Sequence, residues 1–387
     1  MNGIPPPDIY PIDCTLICHS NVGHLAQLYA GYGILEKRGL LKGRFIKNGE
    51  YKRTGKQLLT VLVNNRYRLA YDTSDCDSIY TDELIKSDLY FKRSYDSSKH
   101  AALSSKIHPL GFYYKVYGEN DRALNRALWS FRENGSSTTL GKLADVVHSS
   151  KVLSRLFRAD SGGRQTLHFR ELEGVPKFTR SPTILFMARV WDPNSPINIS
   201  QTQAEERVAI NFMRAECIRK LRREFGRSFI GGLAADELAK RNFGDCVVDD
   251  ELTEKSAYLR AVRSASICVS TMGLCRSNGA KIGEYIAGSK AIVSETLHYE
   301  VPGDFTPGKH YLPFRDPDAC VQQVARLFNS PDLCHQLMQQ NHAYYHSYLR
   351  PDLLIWNTLQ TLAARAHLLP PTSYFGRKTN APNSRSE

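Results

Sequence analysis

Short apolar runs alternate along this chain with longer stretches of helical spacing. Residues 14–18 (Cys-Thr-Leu-Ile-Cys) read as a strand, followed by the polar turn His19-Ser20-Asn21-Val22-Gly23-His24 and an apolar helical repeat over 25–37. Gly39 suits the C-cap of that helix. Residues 58–64 read as a buried strand and 66–72 as a strand that pairs with it. An acidic loop follows over 73–77, then a short strand over 87–93 ending in cations. Residues 106–117 read as loop plus strand, and 121–130 and 140–157 as helices. Residues 158–180 are rich in Arg, Gly and Lys with little periodicity and read as a connector, with an edge strand at 166–169.

The second half has the clearer rhythm. Strands are predicted at 183–188, 229–232, 266–271, 291–294 and 310–314, and helices at 202–225, 252–265, 279–287 and 319–327. Asp316 or Asp318 can cap the last of these. Strands alternating with helices imply a parallel sheet with helices on its faces. Two further helices, 333–349 and 352–367, are divided by Pro351. The expected class is therefore α/β with two Rossmann-like lobes facing a central cleft. Residues 1–180 form the first lobe, 181–350 the second, 351–369 a helix packing back on the first lobe, and 370–387 a disordered tail rich in Pro, Asn, Ser and Arg.

Composition narrows the classes. With 387 residues and 42% apolar content, the chain has enough apolar surface for two cores. Lys and Arg number 51 and Asp and Glu 39, so 51 − 39 gives +12, which favours anionic partners. The nine cysteines show no zinc-knuckle spacing, and an odd number scattered through apolar runs predicts reduced, buried thiols. Residues 1–9 lack a basic-then-apolar leader pattern, and no run is long enough for a membrane helix. The expected location is the cytoplasm, with a basic surface compatible with peripheral membrane contact.

The strongest local chemistry lies between a predicted strand and helix, in Gly273-Leu274-Cys275-Arg276-Ser277-Asn278-Gly279-Ala280-Lys281. Glycines there let backbone amides approach a phosphate, and the helix start adds partial positive charge. The Gly-Lys-Ser/Thr ending of a Walker loop is missing. Gly273, Ser277, Asn278, Gly279 and Lys281 are candidate phosphate contacts. Glu284, early in the helix, either accepts the two hydroxyls of a ribose or complements the helix dipole. Arg189 ends the strand at 183–188, where ligands of open α/β sheets sit, and can clamp a diphosphate. His19 and His24 hold the matching place in the first lobe and are candidate catalytic groups, as general base or as partner to a sugar hydroxyl. Asp75, Asp77 and Asp88 are alternative bases, and Asp75-Cys76-Asp77 is an acidic pair able to chelate a divalent ion. Lys92, Arg93, Lys99 and His100 form a basic cluster with Tyr90, Phe91 and Tyr95 interleaved, by default a solvated loop. Arg214, Arg219, Lys220, Arg222 and Arg223 read as the polar outer face of a covering helix.

The run Gly279-Ala280-Lys281-Ile282-Gly283-Glu284-Tyr285-Ile286-Ala287-Gly288-Ser289-Lys290-Ala291-Ile292-Val293 resembles the donor-site segment of GT-B glycosyltransferases, in the group 1-like C-terminal domain. There a Glu opens a helix that leads through a small-residue turn to a Val-rich strand. The stretch 298–312 with Val301-Pro302-Gly303 also fits, and the likeness covers mainly 182–349, with weaker support at 14–37. It implies a nucleotide-sugar donor, a carbohydrate or other hydroxyl acceptor, no separate cofactor and no obligatory metal. Glu284 would bind the donor ribose, Arg189 and the 273–281 loop the diphosphate, and a His of the 20–24 turn would lie near the reacting sugar. Members that retain anomeric configuration often carry a second Glu where this chain has Arg276, so stereochemistry is left open. Two alternatives stand beside it: a non-catalytic binding protein for nucleic acid or another anionic partner, and a sugar-nucleotide epimerase.

Overall fold

The computed structural model describes residues 11–20, 23–47, 56–116, 168–194 and 199–366. The helices predicted at 121–130 and 140–157, and the tail from 370, lie outside the described residues. The first sheet has six strands: β1 (Ile12–Cys18), β2 (Leu41–Lys47), β3 (Leu58–Val63), β4 (Tyr67–Asp72), β5 (Leu89–Lys92) and β6 (Ile107–Pro109). Their order is β2-β1-β3-β4-β5-β6. Helix α1 (Ala26–Lys37) connects β1 to the parallel strand β2, giving the βαβ unit expected from the opening pattern. The sheet is mixed, because β3 runs antiparallel to both β1 and β4. Asn64 and Asn65 at positive φ make the tight β3–β4 turn, which suits their side chains. The short helices α2 (Thr81–Lys86) and α3 (Ser97–Leu103) flank β5, and Asp96 caps α3 by accepting from the Ser98 amide.

The second sheet is wholly parallel: β7 (Ile184–Ala188), β8 (Phe229–Leu233), β9 (Ile267–Ser270), β10 (Ala291–Glu295) and β11 (Tyr311–Phe314), in the order β11-β10-β9-β7-β8. The chain leaves β7 to one side for β8 and crosses back to the other side for β9. The gap between β7 and β9 is therefore a topological switch point. Its helices are α4 (Gln201–Phe225), α5 (Glu237–Phe243), α6 (Asp250–Thr253), α7 (Lys255–Ser264), α8 (Ala280–Ala287) and α9 (Pro317–Phe328). Helix α4 starts with a capping box between Ser200 and Gln203. Helix α9 starts with Asp316 accepting from the Ala319 amide and Pro317 at its first turn.

Two elements close the chain, α10 (Pro331–Tyr344) and α11 (Pro351–Ala366), joined by a π turn over Tyr345–Leu349. Leu354, Ile355, Trp356, Leu359 and Leu362 of α11 are buried in the first lobe's core against α1 and β1. The return of the C-terminal helix to the first lobe is thus as expected. In the other direction, Phe112, Tyr114 and Val116 pack into a core with Tyr258, Ile282 and Tyr285 of the second lobe. Chain crossings at 110–112 and near 350 hold the lobes face to face. Among the described residues, no helix is long and apolar enough to cross a membrane.

Candidate functional site

A cavity of about 610 Å³ opens between the lobes, within the size range of small-molecule sites. Its second-lobe wall comes from the C-terminal ends of β7 (Phe186 to Ala188, then Arg189) and β9 (Ser270, Thr271), the 273–281 loop and the first turn of α8. Its first-lobe wall comes from His24, Asp75, Arg93, Ser94 and the crossing segment Gly111, Phe112, Tyr113 and Lys115. All seven residues predicted to contact the donor line it: Arg189, Gly273, Ser277, Asn278, Gly279, Lys281 and Glu284. They share the site because parallel strands end on one edge of the sheet, so the loops that follow them converge.

The loop after β9 is held tightly. Gly273 N–H donates to the Ser277 carbonyl at 2.9 Å, and Ser277 N–H to the Leu274 carbonyl at 3.1 Å. A Cβ on Gly273 would sit 2.5 Å from Ser277 Oγ, so a larger residue here requires the Ser277 hydroxyl to move. Cys275 and Arg276 both take positive φ, which turns the loop outward at those two residues. The Asn278 side chain clamps the loop to the backbone of Tyr299: its Nδ2 donates to the Tyr299 carbonyl at 2.7 Å, and its Oδ1 accepts from the Tyr299 amide at 3.3 Å. Asn278 shapes the wall through this pairing. Arg276 is exposed and does not line the cavity, and its amide donates to Glu206.

Glu284 is 7% exposed and accepts a hydrogen bond from the Tyr258 hydroxyl. Burial and the neighbouring carboxylate push the Tyr258 phenol well above its ordinary range, so it is a permanent donor. Lys281 Nζ lies 4.1 Å from the centroid of the same Tyr258 ring. Tyr258, on α7, therefore supports both an acidic and a basic candidate. No local sequence signal marks it.

Arg214 departs from the sequence reading. It is not on an outer polar face: it is 8% exposed, with its guanidinium at the floor of the cavity. Nε donates to Thr271 Oγ1 at 2.9 Å, Nη1 to the Arg189 carbonyl at 2.6 Å and Nη2 to the Met272 carbonyl at 3.0 Å. These acceptors are all neutral, and no carboxylate makes an ion pair with it among the described residues. Burial pulls the group down to about 10, partly offset by the more distant Glu295, so it remains a cation at neutral pH. The charge sits between the ends of β7 and β9, the switch point itself. A signal was present in the sequence: Asn211, Arg214, Ala215, Ile218 and Leu221 share one helical stripe, and this stripe is the buried one. Arg189 is exposed at the cavity's edge.

The first-lobe wall rests on buried charge. Lys92 and Asp72, paired across β4 and β5 and both 0% exposed, are 3.0 Å apart. Lys92 also donates to Ser74 Oγ at 2.6 Å, and Tyr90 donates to Asp72 at 2.6 Å. This network holds the start of the 73–77 loop. The predicted basic cluster is thus mostly not a solvated loop: Lys92 and His100 are buried, and Lys99 pairs with Asp77. Arg93 stacks 4.2 Å above the Tyr113 ring, lies 3.9 Å from Asp75, and donates to His24 Nδ1 at 3.1 Å and the His24 carbonyl at 3.0 Å.

These contacts define the histidines. A guanidinium only donates, so His24 Nδ1 is an acceptor and the imidazole is neutral with its proton on Nε2. A hydrogen bond to the Thr73 backbone occupies the ring further. Burial, then the Arg93 charge, holds His24 below its ordinary value. Nδ1 is therefore committed to Arg93, and in this arrangement His24 positions Arg93 and stacks on Tyr113. His19 lies outside the cavity, 6% exposed, with Nε2 2.9 Å from Thr60 Oγ1. Asp75, with a side chain 43% exposed, is the carboxylate that the first lobe presents to the cavity. Asp77 is engaged with Lys99, and Asp88 accepts from the Arg68 amide at 2.7 Å, away from the cavity.

The cysteines also correct an expectation. Cys76 and Cys275 form a disulfide, with Cα atoms 5.1 Å apart, joining the 73–77 loop of the first lobe to the 273–281 loop of the second. The other seven are free and buried, as predicted.

No family model matches the chain, and no curated protein matches it. It is similar to several solved structures. The C-terminal domain of a glycosyl transferase group 1 family protein (LpcC) from Francisella tularensis shares 10% identity, covering 46% of this chain and 95% of that one, with a TM-score of 0.30. The S. aureus MnaA–UDP structure shares 10% identity over 74% of this chain and 62% of that one, with a TM-score of 0.34. Sucrose-phosphate synthase from Thermosynechococcus elongatus shares 13% identity over 73% of this chain and 74% of that one, with a TM-score of 0.32. Likeness at this depth says nothing of substrate or reaction.

Proposed function

We propose that the chain transfers a glycosyl group from a nucleotide-sugar donor to a hydroxyl acceptor. The observation that carries this reading is the convergence at the switch point of a buried Arg214 hydrogen-bonded to neutral oxygens, Lys281, a glycine-bearing loop at a helix start, and a buried Glu284. Cations and amides together suit a diphosphate, and a carboxylate beside them suits a pentose diol. In this reading the acceptor enters from the first-lobe side. As its oxygen bonds to the anomeric carbon, the hydroxyl proton passes to the Asp75 carboxylate. The bond from the anomeric carbon to the phosphate oxygen breaks, and the leaving diphosphate meets Arg214, Lys281 and Arg189. Arg93 and His24 hold Asp75 and Tyr113 in register, and closure between the lobes limits donor hydrolysis.

The test is release of nucleoside diphosphate from a panel of uridine and guanosine diphosphate sugars with hydroxyl acceptors. Asp75→Asn is expected to lower kcat by about 10² to 10⁴, the usual worth of a general base, while donor affinity is kept. Unchanged turnover in that variant removes Asp75 from the chemistry. No turnover with any sugar nucleotide, by the wild type, sinks the proposal.

A further inference from the structure

Of the nine cysteines, seven are buried and two are partly exposed, and the two partly exposed ones are those that pair. Cys76 follows Asp75 and Cys275 follows Leu274, and both preceding residues line the cavity. The bond spans 199 positions of sequence and ties one cavity wall directly to the other. Non-covalent contacts reinforce the same rim: Glu300 N–H donates to the Tyr95 carbonyl at 2.9 Å, the Glu300 carboxylate accepts from Ser97 N–H at 3.1 Å, and His298 lies 4.0 Å from Asp96. Apart from the backbone bridge to buried Tyr95, these contacts are exposed or partly so and individually weak. The covalent link is therefore the element that decides whether this rim can part.

We infer that Cys76–Cys275 is a redox modification site that latches the two lobes across the cavity, opened by a dithiol reductant and closed by its disulfide form. One thiolate of the reductant attacks Sγ of Cys76 or Cys275, giving a mixed disulfide and freeing the other cysteine. The reductant's second thiol then resolves that bond. Two electrons and two protons pass to the protein, which gains two thiols, and the reductant leaves as a disulfide. Cys76 and Cys275 are the two partly exposed cysteines and so the accessible pair, while the seven buried thiols stay inert. With the latch closed, the Asp75 loop and the 273–281 loop keep a fixed separation. With it open, the lobes hinge about the crossings at 110–112 and near 350, and the rim parts. The consequence for ligand release rests on the proposed function; the consequence for backbone motion does not.

The experiment uses the full chain in three forms: air-oxidised, reduced with dithiothreitol and desalted, and Cys76→Ser. Peptide mapping of the oxidised form should recover Cys76 and Cys275 in one linked peptide. Mild reduction should expose those two, and no others, to alkylation of the native protein. Hydrogen exchange over residues 73–77 and 272–279 should be on the order of tenfold faster in the reduced and Cys76→Ser forms. Release of a fluorescent nucleoside diphosphate should accelerate in the same two forms. Absence of the linked peptide after air oxidation, or identical exchange in all three forms, overturns the latch. Altered exchange without nucleotide binding in any form supports the latch and removes the glycosyl-transfer reading instead.

Discussion

Replacing Arg214 by Met separates a charge kept for a ligand from a charge kept for the fold. Lowering the guanidinium from 12.5 to about 10 corresponds to about 3 kcal/mol of penalty for burying the cation. Its three hydrogen bonds to neutral oxygens, each worth about 1.5 kcal/mol or somewhat more with a charged donor, roughly offset this. Arg189 and Thr271 line the cavity, so water can replace the donors lost at those two acceptors. An apolar side chain of similar length should then cost at most about 1–2 kcal/mol of stability. The anion loses its deepest positive charge, worth on the order of 2–3 kcal/mol, so nucleoside diphosphate affinity should fall about 30- to 150-fold. Arg214→Lys keeps the charge without the fork and should fall between. Thermal unfolding measures the first quantity, and titration of a fluorescent nucleoside diphosphate at two salt concentrations measures the second. Wild-type affinity in the Met variant refutes the reasoning, as does a loss of affinity matched by collapse of the fold.

Asp72→Asn leaves Lys92 buried without its counter-charge and should destabilise the first lobe by about 3–5 kcal/mol, read as a lowered denaturant midpoint, whereas the double change to Asn and Met should recover part of it. Burial holds His310 and His346 down to about 4 in the folded chain, against an ordinary 6.5, so the unfolded chain takes up protons first as pH falls. Their contribution is complete above about pH 6.5 and is lost towards pH 4, on the order of 2–3 kcal/mol for buried His310 and less for the partly exposed His346, whose charge is screened by solvent. Urea midpoints between pH 7 and pH 4 should fall accordingly, and His310→Gln should flatten the slope.

The parallel second sheet was legible in the sequence because each of its strands is a short apolar run bounded by loops, and a buried parallel strand needs little else. The loop after β9 was legible because glycine and lysine at a strand–helix junction have a local meaning. Strand β2 was missed, although Leu41, Gly43 and Phe45 alternate with exposed Lys42, Arg44 and Ile46; the glycine and cations of an edge strand hide the period. Helix α5 was missed because it is short, marked only by Asp236 capping the Ala239 amide. Arg214 was misread because a helix rich in cations looks solvated until its buried stripe is traced. The Asp72–Lys92 pair, the Arg93 contact that sets the His24 tautomer and the Cys76–Cys275 bond are all contacts between distant segments. Nothing local in residue type or spacing reports them.

A nucleoside diphosphate held in the cavity at the second sheet's switch point is what every role proposed above requires. Isothermal titration of uridine and guanosine diphosphates into the full chain tests it directly. One binding site per chain is expected for at least one of them, weakened on truncation to the nucleoside or in Glu284→Gln. No heat with either diphosphate, or equal affinity for the nucleoside lacking phosphates, would contradict it.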